Sequence, residues 1–394
     1  MLAYMIAGEA SGDMLGASLM AGLRELTGDV VFDGIGGPLM EARGLRSHMP
    51  MEELNLFGIA EVLPKYLNLR RRLDETVGRI VQAKPDVLIT IDSPDFCLRV
   101  AREVKRRAGV RTVHYVAPSV WAWRPGRAAK MAEYVDHVLA LLPFEPAYME
   151  RAGMRCDFVG HPVISERQAD ASEIAEFRAS TGIGDSPILL VLPGSRAGEV
   201  RRLVPVFEAA INHVLDRFPD IRIVVPAAES MAETVTGAVS SWRGAPVILD
   251  PRMGYADVAA TRKRAAFGAA DYALAASGTV SLELAVASTP TVIAYDMNWF
   301  SWQIMSRLSR IGTVTLVNLL TERSVIPEFL GPACRPDAIA RALGELIGSS
   351  DARALQTVAM AEALKRLGQG GEEPGIRAAR AVMAGLGIQS RGNA

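Results

Sequence analysis

The stretch "ALAASGTVSLELAV", residues 273–286, begins as an apolar strand, breaks at Ser277-Gly278-Thr279, and resumes with apolar residues at helical spacing. A buried strand that stops on small polar residues and runs straight into a helix is the repeating step of a parallel α/β sheet. Ser277 reads as the helix N-cap, Gly278 permits close backbone approach, and Thr279 adds a hydroxyl. Free N–H groups at a helix start attract anions, so this loop is either a plain cap or an anion site. Glu283 lies four residues after Thr279, on the same helical face. It either accepts hydrogen bonds from sugar hydroxyls or belongs to a solvated outer face.

Outward from this step the same alternation fills most of the chain. Strand patterns at 187–192, 221–227, 245–250 and 289–295 accompany it, and an earlier set falls at 2–7, 30–36, 86–91, 111–116 and 137–142. Between the two sets, residues 160–187 are polar, with one short helical pattern. The expected fold class is α/β: two Rossmann-like doubly wound domains facing across a cleft. The expected bounds are 1–165 and 166–370, with a helical C-terminal tail at 371–394. Ligands of such sheets bind outside the carboxyl ends of the strands.

The strand-ending loops carry the chemistry. In "LPGSRAGEV" (192–200) a Pro-Gly turn exposes Ser195, and Arg196 supplies a permanent, forked cation suited to phosphate. Neither GxxxxGK[ST] nor GxGxxG occurs, and "GIGGP" (34–38) runs into a proline, so no P-loop or dinucleotide fingerprint is expected. "AGEASGDMLG" (7–16) places Glu9 in a loop, with Ser11 or Asp13 able to cap the next helix. "IDSPDFCLRV" (91–100) puts Ser93 at an N-cap, Pro94 at the first helical position and Asp95 at the positive helix end. Asp92 is left without a capping duty, as a general base or as a hydrogen-bond partner for a neighbouring loop. "YVAPSVWAWRPGRAAK" (115–130) sets Trp121 and Trp123 among Arg124, Arg127 and Lys130. That mixture suits a phosphate-bearing sugar or lipid, or packing of the Trp pair. Residues 58–75 mix apolar side chains with Lys65 and three arginines (70–72), as a membrane-facing surface or an ordinary half-buried helix.

Composition removes several classes. A chain of 394 residues, 49% hydrophobic and 22% charged, is long and apolar enough for two cores. Its net charge of -1 gives no general field for nucleic acid. Cys97, Cys156 and Cys334 lie far apart and no HxxxH spacing occurs, so no disulfide framework, no metal site and a reducing compartment are expected. "MLAYMIAGEASGD" lacks a signal-peptide pattern, and no apolar run approaches the roughly 18–20 residues that span a bilayer. A soluble or peripheral protein is expected.

Taken together, "GEASGD" (8–13), "GIGGP", "IDSPDF" (91–96), "YVAPSVWAW" (115–123), "LPFE" (142–145), "GHP" (160–162), "LPGSR" (192–196), "ASGTVSLE" (276–283) and "VNLL" (317–320) resemble the lipid-A-disaccharide synthase family, in order and over nearly the whole chain. The resemblance implies an inverting glycosyltransferase of the GT-B type, without a cofactor. It implies transfer from UDP-2,3-diacylglucosamine to 2,3-diacylglucosamine 1-phosphate (lipid X), giving UDP and a β-1,6-linked tetraacyl disaccharide 1-phosphate. The implied location is the cytoplasmic face of the inner membrane. By motif, Asp92 matches the family's base and Glu9 sits in its matching loop. Arg196, Ser277, Gly278, Thr279, Glu283 and Asn318 match the UDP-sugar site, with Ser195 beside them. Ser11, Trp121, Trp123, Arg127 and Lys130 are expected on the acceptor side. "IPEFLGPA" (326–333) departs from the family by carrying Gly331 where Gln is frequent, while Glu328 remains. A nucleotide-sugar epimerase of the same architecture and a non-catalytic two-lobed sugar-binding protein are the alternatives, and a homodimer stays open.

Overall fold

The structure is a computed structural model that describes residues 1–54, 62–122, 126–298, 302–303 and 312–388. Two compact units emerge, Met1–Ser165 together with Leu367–Ala394, and Glu166–Arg366. In the first, strands β1 (Leu2–Ala7), β2 (Val31–Ile35), β3 (Arg46–Ser47), β4 (Val87–Ile91), β5 (Thr112–Tyr115), β6 (His137–Ala140) and β7 (Arg155–Phe158) alternate with helices. These are α1 (Ala10–Thr27), α2 (Pro38–Ala42), α3 (Val62–Ala83), α4 (Pro94–Ala108), α5 (Gly126–Met131) and α6 (Pro146–Glu150). All strands run parallel, in the order β3-β2-β1-β4-β5-β6-β7. Strand side chains alternate between faces. Ala3, Met5 and Ala7 therefore enter the core shared with α1, and Tyr4 and Ile6 the core shared with α3 and α4.

The second unit opens with α7 (Ala171–Ser180), started by a capping box in which Asp170 accepts the Glu173 N–H and Glu173 accepts the Asp170 N–H. Its strands are β8 (Ile188–Leu192), β9 (Arg222–Pro226), β10 (Val247–Leu249), β11 (Tyr272–Ala276), β12 (Thr291–Tyr295) and β13 (Glu328–Leu330). The intervening helices are α8 (Ala197–Arg217), α9 (Ala232–Val239), α10 (Ala256–Ala269), α11 (Val280–Val286) and α12 (Leu316–Thr321), followed by α13 (Pro336–Gly348) and α14 (Ser350–Arg366). This sheet is also parallel, in the order β10-β9-β8-β11-β12-β13. Both sheets thus follow the doubly wound pattern, with strand order reversing beside β1 and beside β8.

The last helix, α15 (Pro374–Leu386), belongs to the first unit. Ala378, Ala379, Val382 and Met383 share one core with Leu15, Leu19 and Met20 of α1 and with Val113 and Leu139 of β5 and β6. Residues 374–386, within the segment expected as a tail, therefore form a helix packed on one face of the first sheet. Its amphipathic spacing shows that it buries a face, but not which sheet receives it.

One buried amide closes a gap in the second sheet. β13 pairs with β12 only from Ile293 onward, which leaves the backbone of Thr291 without a strand neighbour on that side. Gln356 of α14, 2% exposed, fills the place. Its side-chain oxygen accepts the Thr291 N–H at 2.7 Å and its nitrogen donates to the Thr291 carbonyl at 3.1 Å. Leaving two buried backbone groups unpaired costs about 1–3 kcal/mol each. Gln356→Leu should therefore lower stability by about 2–5 kcal/mol in urea titration, and loss of less than about 1 kcal/mol would contradict this role.

Candidate active site

In the first unit the candidate residues gather where the strand order reverses, at the carboxyl ends of β1 and β4. Asp92 follows β4 directly, and its N–H donates to the Tyr115 carbonyl of β5 at 2.9 Å. Asp92 (φ 49°) and Ser93 (φ 41°) are consecutive left-handed residues, and Val116 at the end of β5 has φ 81°. Each non-glycine residue in such a conformation costs on the order of 1–3 kcal/mol, and clusters of them mark functional edges. Asp92 is half-buried, and burial pushes its carboxyl above the usual range while the Ser93 N–H opposes the shift. Among the described residues, no side chain bonds this carboxylate. Ser93 precedes α4, with Pro94 and Asp95 in the first turn, but its side chain does not cap the helix. The left-handed backbone turns the Ser93 hydroxyl away from the helix N–H groups and against Gly8.

Glu9 is the residue before α1, in extended conformation, and its carbonyl accepts the Asp13 N–H. Ser11 is exposed on the first turn. Neither Ser11 nor Asp13 caps α1. Asp13 is 2% exposed and reaches across to α2, where its carboxylate accepts the N–H groups of Gly37, Leu39 and Met40 at 2.9–3.0 Å. The "GIGGP" loop is thus a helix start held by a buried acid.

Trp121 is half-buried, and its Nε1–H donates to Glu145 at 3.2 Å. It is consequently tied into the protein. Arg127 is half-buried and Lys130 exposed on α5, while Trp123 and Arg124 lie outside the described residues. On α3, Arg72 pairs with Glu53 and Glu75, and Arg71 with Glu75. Leu69 is buried and Leu73 partly so, facing α4. The apolar side chains of 62–68, part of the suggested membrane-facing surface, lie outside the described residues.

In the second unit the candidates again flank the reversal, after β8 and β11. Ser195 and Arg196 are exposed, with Arg196 preceding α8. Glu199, 5% exposed in the first turn of α8, organises this loop. Its carboxylate pairs with Arg196 at 3.0 Å and accepts the Ser195 N–H and the Tyr295 hydroxyl, each at 3.4 Å. An acid four residues after the loop serine was the available signal for it. Ser277 does not cap α11: its N–H closes a bond to the Ala294 carbonyl, and Thr279 precedes the helix without a side-chain cap. Among the described residues, a Cβ on Gly278 would meet no atom within 4 Å, so none of them requires glycine there. Glu283 is ion-paired with Lys263 of α10 at 2.7 Å.

Asn318 is spent internally. It is 2% exposed, accepts the N–H groups of Val325 and Ile326, and donates to the Ile326 carbonyl and to Glu328. Glu328 in turn accepts from Thr313, Val314 and Thr315. Gly331 has φ 52°, and a Cβ there would lie 2.5 Å from the Trp302 ring. Trp302 occupies the space that a glutamine side chain would need at this position.

Two doubly wound units, each with polar loops at its order reversal, define a fold shared with GT-B type nucleotide-sugar enzymes. Similar chains include an S. aureus MnaA–UDP co-structure (TM-score 0.67, 13% identity, 98% of this chain and 97% of that one) and UDP-GlcNAc 2-epimerase from Neisseria meningitidis bound to UDP-GlcNAc (0.62, 10%, 98% of each). At that identity the likeness is one of fold. The profile of the lipid-A-disaccharide synthetase family matches residues 3–379. Lipid-A-disaccharide synthase from Ruegeria pomeroyi is 59% identical over 97% of this chain and 95% of its own length, and that from Rhodospirillum centenum 49% over 97% and 94%. The chain belongs to the lipid-A-disaccharide synthase family.

The Gly8–Ser93 contact is the most exacting in the first cluster. A Cβ on Gly8 would overlap the Ser93 hydroxyl and lie 2.9 Å from its Cβ. Gly8→Ala should destabilise the protein by about 1–3 kcal/mol, as overpacking does. Adding Ser93→Gly should recover most of that loss in thermal unfolding, and a double variant no better than Gly8→Ala would refute the contact.

Proposed function

We propose that this chain joins two diacylated glucosamines, using UDP-2,3-diacylglucosamine as donor and 2,3-diacylglucosamine 1-phosphate as acceptor. The observation that carries this reading is Asp92: a half-buried carboxylate at the central carboxyl edge of the first sheet, in a chain of this family. Asp92 takes the proton of the acceptor's 6-hydroxyl as that oxygen attacks the anomeric carbon from the face opposite the diphosphate. The new C–O bond forms as the bond to the UDP oxygen breaks, and UDP leaves with the electron pair. Inversion gives the β-1,6 linkage. An alcohol is a poor nucleophile until its proton departs, and a positioned base contributes about 10²–10⁴-fold. A carboxyl raised by burial is a better base than an ordinary aspartate. Glu9, in the adjoining loop, is the reserve candidate.

The second unit binds the UDP-sugar. Arg196 meets the diphosphate, the 277–279 loop supplies N–H and hydroxyl donors, and Glu283 accepts from the ribose after exchanging Lys263 for it. Asn318 acts by holding Glu328 and the adjoining turn rather than by touching ligand. Acyl-bearing substrates lie in a bilayer, so the protein works at the cytoplasmic face of the inner membrane. No helix of the described residues is long and apolar enough to cross it. The cationic and apolar stretch around Leu63–Leu73, at the start of α3, is the docking surface in this reading. The epimerase alternative shares the fold but would leave the mass of a UDP-sugar unchanged and form no disaccharide.

Incubation with both lipid substrates, followed by mass spectrometry, should yield UDP and a tetraacyl disaccharide phosphate. Asp92→Asn should lower turnover by about 10²–10⁴-fold with UDP affinity intact. Near-normal turnover would move the role to Glu9. Arg196→Ala should weaken UDP binding by about 10- to 100-fold in calorimetry, the value of a charge-assisted contact. Unchanged affinity would place the diphosphate elsewhere.

A further inference from the structure

Glu145 is a buried acid that the proposed mechanism does not use. It is 4% exposed and precedes α6, yet its side chain does not cap that helix. The carboxylate instead gathers donors from two strand-ending loops. One oxygen accepts the Trp121 Nε1–H at 3.2 Å, and the other accepts the N–H groups of Leu141 and Leu142 at 3.1 and 3.0 Å. Trp121 also stands edge-on to Phe144, with ring centroids 5.1 Å apart. A buried carboxylate is costly unless hydrogen-bonded, so the loops and the acid hold one another.

We infer that Glu145 is a positioning residue for the acceptor: it clasps the 116–122 loop, through Trp121, to the end of β6. This rests on the proposed acceptor role of the first unit. The clasped loop begins at Val116, held at φ 81° with its N–H on the Leu139 carbonyl. The preceding residue, Tyr115, receives the Asp92 N–H. Movement of the loop is therefore felt at the backbone that sets Asp92. Beyond the loop, α5 carries Arg127 and Lys130. Burial pushes the Glu145 carboxyl up to about 7, against its three donors. The Cys156 thiol on β7 faces this acid and is pushed up chiefly by its burial, with the charges of Glu145, Asp157 and Glu150 adding to the rise. Ionised Glu145 accepts the stronger hydrogen bonds, so the clasp is tightest above that pH.

Glu145→Gln isolates the link. The amide oxygen can keep the two backbone donors, but its NH₂ then faces the Trp121 N–H, donor against donor. Trp121→Phe breaks the same link from the other side. Each variant should raise KM for the acceptor about tenfold, with KM for the UDP-sugar and UDP affinity unchanged. The double variant should be no worse than either single one, because both remove one interaction. In the wild type, acceptor KM should fall as pH rises through about 7, and both variants should lose that dependence. Unchanged acceptor KM in a folded variant, or additive effects in the double one, would overturn the inference. If Glu145→Gln fails to fold, Trp121→Phe decides it. Absence of disaccharide formation by the wild type would instead refute the proposed function.

Discussion

Parallel strands need crossover connections, and reversing the crossover direction beside β1 and beside β8 is the constraint on which the rest of the structure depends. At such a reversal, adjacent loops leave the sheet toward opposite faces, and the strand ends between them stay uncovered by helices. In the first unit this brings Glu9, Asp92 and Ser93 to one edge. In the second it brings the 193–196 and 277–279 loops together. The residues come from distant parts of the sequence, but the strand order makes them neighbours.

What fixes these loops is a set of buried acids whose oxygens are occupied by loop donors. Asp13 holds the start of α2, Glu145 holds the loop after β5, and Glu199 holds the loop after β8. A carboxylate taken from water must recover its solvation, which Asp13 does through backbone N–H groups, Glu145 through backbone N–H groups and Trp121, and Glu199 through Arg196, Tyr295 and the Ser195 N–H. Loops held in this way are set before a ligand arrives, so less ordering entropy is lost on binding. The strained backbone at Asp92, Ser93 and Val116 persists because neighbouring strands over-determine it through the Tyr115 and Leu139 carbonyls.

Much of this was legible in the sequence. The strand and helix alternation, the helix at the inter-unit segment, Pro94 opening α4 and an exposed Arg196 after β8 all follow from local pattern. Side-chain duties were less legible. Ser277 and Ser93 have the chemistry of N-caps, yet the first lies two residues before the N-cap, with its backbone N–H on β12, and the second is left-handed against Gly8. Trp121, open in the sequence between a ligand contact and packing, is held by Glu145, twenty-four residues on. Asn318 carries the amide expected of a ligand contact, and it bonds the turn before β13 and Glu328.

By itself the sequence determined the longer strands and the helical pattern between them, that two sheets are parallel, and which loops carry acids, hydroxyls and arginines. These follow from hydrophobic period and backbone preference, which act over a few residues. The short strands β3, β7 and β13 were not legible in it. Only the tertiary structure decided which partner each group takes: α15 on the face of the first sheet, Gln356 in place of a strand, Asp13 on α2 rather than α1. A carboxylate or amide can satisfy any donor it reaches. Which donor that is depends on packing between segments tens to hundreds of residues apart, where no local period extends.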